Sequence, residues 1–86
     1  MKKIIGIIGR KRSINNKDLL VFSNELVNII YKNNCLPLGI LLDFENDDYK
    51  YFIDMCDGII LQGGCDEYEL DNDIIKYIYE KNIPVL

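Results

Sequence analysis

Four short apolar runs constrain this chain more than any other feature: Lys3–Ile8 (KIIGII), Leu36–Leu42 (LPLGILL), Asp57–Gln62 (DGIILQ) and Ile83–Leu86 (IPVL). Each has the length of a strand, and each is separated from the next by a stretch long enough for a helix. Near-continuous apolar runs of this kind suit strands buried on both faces, as in a parallel sheet. Between Lys17 and Lys32, Leu19, Phe22, Leu26, Ile29 and Ile30 recur at three- and four-residue steps, which predicts an amphipathic helix of about four turns. Asn33-Asn34 closes it, because Asn tolerates the left-handed conformation at a helix end. Asn46 or Asp47 can cap a short second helix in which Tyr49, Phe52 and Ile53 share a face, with Asp47 and Asp48 at its positive end. Asp71 is a plausible cap for a third helix carrying Leu70, Ile74, Ile75 and Ile78. The polar, basic segment Arg10–Asn16 reads as a loop, and Pro37 falls near the start of the second run, where a missing N–H does least harm. The predicted order is β-α-β-α-β-α-β, one α/β domain over residues 1–86 with helices on both faces of a parallel sheet.

The last run ends at Leu86 with no helix after it. We therefore expect the sheet to be incomplete at its C-terminus and the chain to be part of a longer domain. The uncovered strand predicts self-association or partial disorder near residues 79–86.

Composition excludes several classes of function. The net charge of −4 leaves no basic face for phosphates, so nucleic acid is not an expected partner. No apolar run approaches the ~18 residues that span a bilayer, so no membrane partner is expected. Cys35, Cys56 and Cys65 are odd in number and contain no CxxC pair, which suits reduced thiols in the cytoplasm better than a disulfide or zinc framework. The chain has no histidine, and so lacks the commonest general base and the commonest catalytic metal ligand. No cofactor is implied.

The third run breaks on Gly63-Gly64 and enters a patch of acids, Asp66, Glu67, Glu69, Asp71 and Asp73. A phosphate cradle at the glycines is disfavoured by those charges and by the absence of GxxxxGK or GxGxxG. The acids lack the spacing of a calcium loop and read as a solvated turn feeding a helix N-terminus. A phospho-accepting receiver would need an acidic pair after the first strand and an aspartate ending the third, where Gly9-Arg10 and Leu61-Gln62 stand. Cys65 as a nucleophile would lack a base and lie among acids that raise its pKa, so it reads as a small loop residue. Arg10, Lys11 and Arg12 could hold a substrate carboxylate or form a solvated loop. The reading left is of the backbone itself: adjacent glycines at a strand end can present N–H groups to a developing oxyanion without any side chain.

Four segments in register, KKIIGIIGRK, NNCLPLGIL, DGIILQGGCDEYE and KNIPVL, resemble the N-terminal part of the class I glutamine amidotransferase-like hydrolases, nearest to the gamma-glutamyl-gamma-aminobutyrate hydrolase type. That family shows an opening like IGITG, then GG-x-P, then DGLLLPGG-x-D, then IPVLGIC-x-G, so the resemblance spans essentially the whole chain. It implies a flavodoxin-like domain that cleaves gamma-glutamyl amides through a cysteine nucleophile assisted by a histidine and a glutamate. Gly63 or Gly64 would supply one oxyanion-hole N–H, the residue after the nucleophile would supply the other, and Asp66 would be structural. Gln62 departs from the family's proline, and Asn33-Asn34-Cys35 from its glycine pair. The triad would lie beyond Leu86, so these 86 residues alone are expected to be inert. The expected function is therefore the N-terminal portion of a hydrolase acting on a small gamma-glutamyl substrate. The alternatives are a non-catalytic binding or regulatory module of the same fold, and an unrelated flavodoxin-like domain that binds a small anion.

Overall fold

A computed structural model describes residues 2–41, 48–62 and 72–85. Its elements are β1 (Ile4–Ile8), β2 (Arg10–Ile14), β3 (Lys17–Val21), α1 (Asn24–Lys32), β4 (Leu36–Ile40), α2 (Tyr49–Asp54), β5 (Gly58–Leu61) and α3 (Asn72–Glu80). The three apolar runs that become β1, β4 and β5 form one parallel sheet in the order β4-β1-β5. The run Ile83–Leu86 is represented among the described residues by one parallel bridge, Val85 opposite Ile59, with the Ile59 N–H donating to the Pro84 carbonyl at 2.8 Å.

The register explains how the sheet is covered. Gly6, Leu38 and Ile59 stand abreast, as do Ile8 and Ile40 one pleat further on. Ile8, Ile40 and Ile59 pack with Tyr49, Ile53 and Cys56 of the α2 region and with Ile74 and Ile78 of α3, forming the main core. Gly6 is required at the centre of that face. A Cβ there would stand 2.6 Å from Cys56 Sγ and 2.7 Å from Ile40 Cδ1, closer than real side chains approach. Gly39, one residue out of phase, points to the opposite face, where the Phe22 ring would lie 3.1 Å from an added Cβ. Helix α1 packs against β4 and buries Ile30.

The helix ends follow from asparagine. At the end of α1, Asn34 takes φ 60°, its N–H donates to the Tyr31 carbonyl at 3.0 Å, and the Cys35 N–H donates to Ile30 at 3.1 Å. This is a Schellman motif with Asn in the place usually taken by Gly. It repeats after α3, where Asn82 has φ 56° and the Asn82 and Ile83 N–H groups donate to Tyr79 and Ile78. At the amino edge of the sheet, Asp57 accepts from the Ile4 N–H through Oδ2 at 2.8 Å, and its own N–H donates back to Ile4 at 2.7 Å.

Two expectations are corrected. Arg10–Asn16 is not a loop, and the helix does not begin at Lys17. Residues Arg10–Ile14 and Lys17–Val21 form an antiparallel hairpin that pairs Arg10 with Val21 and Ile14 with Lys17. Asn15 and Asn16 sit at its tip with φ 51° and 61°. Positive φ at both central residues is the type I′ geometry, whose twist matches that of the flanking strands. The helix starts seven residues later than expected, at Asn24, because Ser23 is extended (φ −70°, ψ 120°) and its Oγ accepts from the Leu26 N–H. The proposed caps at Asn46, Asp47 and Asp71 lie outside the described residues, and Asp48, which precedes α2, makes no side-chain cap bond.

Candidate functional site

In an open parallel sheet, ligands bind beyond the carboxyl ends of the strands where the strand order reverses. Here the chain passes from β1 to β4 on one side and returns to β5 on the other, so the reversal lies at the carboxyl ends of β1 and β5. Three segments meet at that point: the end of β1 at Ile8–Gly9, the foot of the hairpin at Val21, and the start of α1 at Ser23.

Gln62, directly after β5, joins them. Its Oε1 accepts from the Ser23 N–H at 2.7 Å, and its Nε2 donates to the Ile8 carbonyl at 2.8 Å and the Val21 carbonyl at 3.0 Å. One N–H and two carbonyl oxygens face the amide, so only one orientation of its oxygen and nitrogen satisfies all three. Gly9 makes room for the contact above it, since a Cβ there would stand 2.6 Å from Leu20 Cγ. The Gly9 N–H donates to the Ile40 carbonyl at 3.2 Å, tying β1 to β4 where the hairpin departs.

The expected site residues are placed as follows. Gly63 and Gly64, with Cys65 and Asp66, lie outside the described residues and follow Gln62 in the chain. Arg10 is half-buried at the first position of β2, and Arg12 is exposed two residues on. Both have partners on one face of the ribbon, opposite Val21 and Leu19, while Lys11 takes the register position opposite Leu20. The basic run is therefore carried on a strand at the sheet's carboxyl end.

The described residues include no activated nucleophile. Burial, and secondarily the Asp57 charge, push the Cys56 thiol up to about 11, and its S–H donates to the Phe52 carbonyl at 3.3 Å. Cys35 is also a free thiol, half-buried beside the Asn33 carbonyl. Between α2 and α3, Tyr77 donates to Asp54 Oδ1 at 2.6 Å, and this bond holds its phenol up at about 12. Lys50 and Lys81 lie 5.4 and 5.5 Å from the Tyr77 ring centre, and Tyr49 meets it edge-on at 6.3 Å. Tyr49, Lys50 and Tyr77 line a surface cleft of about 350 Å³ together with Asp73, Lys76 and Glu80, so it carries charges of both signs. Among the described residues no three His, Cys, Asp or Glu side chains gather to hold a metal ion, and no helix is long and apolar enough to cross a membrane.

Gln62 is the site residue that local pattern did not indicate, whereas Ser23 before the acidic Glu25 carries an N-cap signal that the apolar periodicity overrode. Asn15-Asn16 between RKRSI and KDLLV was the available signal for the hairpin that brings Val21 to Gln62. Comparison with protein-family models and with curated proteins gives no match.

Proposed function

We propose that these residues form the amino-terminal part of a cysteine-dependent gamma-glutamyl amide hydrolase of the class I glutamine amidotransferase-like type, on a flavodoxin-like sheet. The observation that carries the reading is the strand order. It sets the reversal point at the end of β5, and the sequence GlnGlyGly follows there. The separation of the α2–α3 core from the α1 side of the sheet supports helices on both faces.

In this reading a cysteine thiolate outside these 86 residues attacks the gamma-carbonyl carbon of a small gamma-glutamyl amide. The Gly63 or Gly64 N–H stabilises the tetrahedral oxyanion, the C–N bond breaks, and the amine leaves with a proton. Water then hydrolyses the thioester to a carboxylate and the free thiol. A histidine and a glutamate complete the triad, and no cofactor takes part. The free thiols support a reducing compartment, the cytoplasm.

One observation favours a second reading, a non-catalytic binding or regulatory module. The buried Cys56 thiol is pushed up to about 11, which suits a packing role and not a nucleophile. A single assay separates the two. The full-length protein is given gamma-glutamyl-p-nitroanilide and released nitroaniline is measured, with Gly63→Pro and Gly64→Pro as variants that each remove one N–H. The hydrolase reading expects turnover, reduced about 10²–10³-fold in kcat by one of the two prolines with circular dichroism unchanged. No turnover of any gamma-glutamyl amide by a folded full-length protein would leave the binding module.

A further inference from the structure

Among the described residues the hairpin β2–β3 is a two-stranded sheet of its own, paired with no other strand, and most of its residues are exposed. Two-stranded ribbons are at best marginally stable in water. Its order therefore depends on what ties it to the rest of the molecule. At its foot, Leu20 rests over Gly9, and the Gln62 amide binds the Val21 carbonyl on one side and the Ile8 carbonyl on the other. The same amide accepts from Ser23, the residue that starts α1. A half-buried primary amide using both hydrogens and its oxygen on three backbone groups, from segments 39, 41 and 54 residues away, is a keystone rather than a surface decoration.

We infer that Gln62 is a positioning residue that docks the basic hairpin on the carboxyl end of the sheet, so that the placement of Arg10 and Arg12 depends on the Gln62 amide. With the amide in place, Arg10 stands beside the strand reversal, paired with Val21 whose carbonyl Gln62 holds. Without it, the Val21 and Ile8 carbonyls and the Ser23 N–H lose a shared partner, and the ribbon is left with the contacts of Leu20 and Arg10 and its covalent connections. The hairpin is then a separate unit that opens below the global unfolding threshold. As a statement about the ribbon this stands apart from the hydrolase reading. The further step, that the docked arginines meet an anionic substrate group, rests on it.

The test uses the 86-residue chain described here, with amide hydrogen exchange as readout and no substrate, so it can fail or succeed independently of any enzymatic assay. In Gln62→Leu, exchange at Leu20, Val21 and Ser23 should accelerate about ten-fold or more relative to the amides of β1. Gln62→Glu gives a signature that a purely space-filling role would not. Its protonated carboxyl group can accept from Ser23 and donate to one carbonyl, whereas the ionised group has nothing to donate to Ile8 or Val21 and is repelled by both oxygens. The docked state therefore raises the pKa of the introduced group, and its contribution to docking is full below the ordinary carboxyl range and is lost as pH rises through the raised pKa. Arg10, at the register position opposite Val21, and Glu25, in the first turn of α1, are charges of opposite sign on the two elements that the amide joins. The ratio of hairpin to β1 exchange in Gln62→Glu should come closest to the wild type below about pH 4.5 and reach that of Gln62→Leu by about pH 8, while the wild-type ratio stays constant. Unchanged hairpin protection in both variants, or loosening in Gln62→Glu that ignores pH, overturns the assignment. If Gln62→Leu does not fold, the pH response of Gln62→Glu decides alone.

Discussion

The four described non-glycine residues with positive φ are all asparagine: Asn15, Asn16, Asn34 and Asn82. Two form the tip of the hairpin and two close helices in the same Schellman geometry, so one residue type makes three of the described turns. This gives a sharp expectation. At Asn34, alanine should cost about 1 kcal/mol because its Cβ opposes the left-handed conformation, while glycine should be neutral or mildly stabilising. Asn82 should behave alike. Urea midpoints with an unchanged m-value read this directly, and an alanine variant as stable as wild type would mean the αL caps do not form. The Asn33-Asn34 closure of the first helix was legible in the sequence for this reason: local conformational preference is a property of the residue itself. Gln62 was not. Its partners are Ile8, Val21 and Ser23, and nothing in the pattern around residue 62 encodes an amide bonded across such separations.

At the level of elements, the runs that become β1, β4 and β5 were readable because each is a short, near-continuous apolar run, although β1 is buried only at Gly6, Ile7 and Ile8, β5 only at Gly58 and Ile59, and β4 only at Ile40. The segment from Lys17 to Lys32 was misread for an instructive reason. Leu19, Phe22, Leu26, Ile29 and Ile30 keep helical spacing across what is in fact a strand, an extended residue and a helix, and Leu19 and Ile29 end up 40% and 45% exposed. Periodicity alone could not detect the break, whereas Ser23, with acidic Glu25 in the turn after it, marked the true helix start. Ser23 serves both sides of that boundary, capping Leu26 through Oγ and binding Gln62 through its N–H. Ser23→Ala removes the first role and keeps the second. It should cost about 1 kcal/mol of stability, seen in thermal melts, while the hairpin's amide protection relative to β1 stays at the wild-type level. Loss of hairpin protection in this variant would shift the docking role from Gln62 to the helix start.

Across the described part of the molecule, both sheet edges carry a proline. Pro37 lies in β4, which pairs only with β1 among the described residues, and Pro84 lies beside β5 on the far side. A residue without an N–H is compatible with an edge and discourages pairing with another chain. Between these edges the two layers are not equivalent. The α2–α3 side holds the larger core, and it closes at Gly6, where the sheet approaches Cys56, Ile40 and Ile59 most tightly. Gly6→Ala should therefore destabilise by about 1–3 kcal/mol, since the 2.6 Å approach to Sγ forces either the strand or the end of α2 to move. Ile40 Cδ1 and Ile59 Cδ1 are the ends of flexible side chains and can turn aside, so Cys56 should dominate the strain. Combining Gly6→Ala with Cys56→Ala should then cost less than the sum of the single variants, by about 0.5–3 kcal/mol of coupling. Gly39→Ala supplies the control, because its added methyl meets the Phe22 ring on the other face and should add independently to Cys56→Ala. If Gly6 and Cys56 prove additive while Gly39 and Cys56 couple, α2 does not pack on the face the register assigns to it, and the two-layer arrangement that sets the strand reversal beside Gln62 would have to be rebuilt.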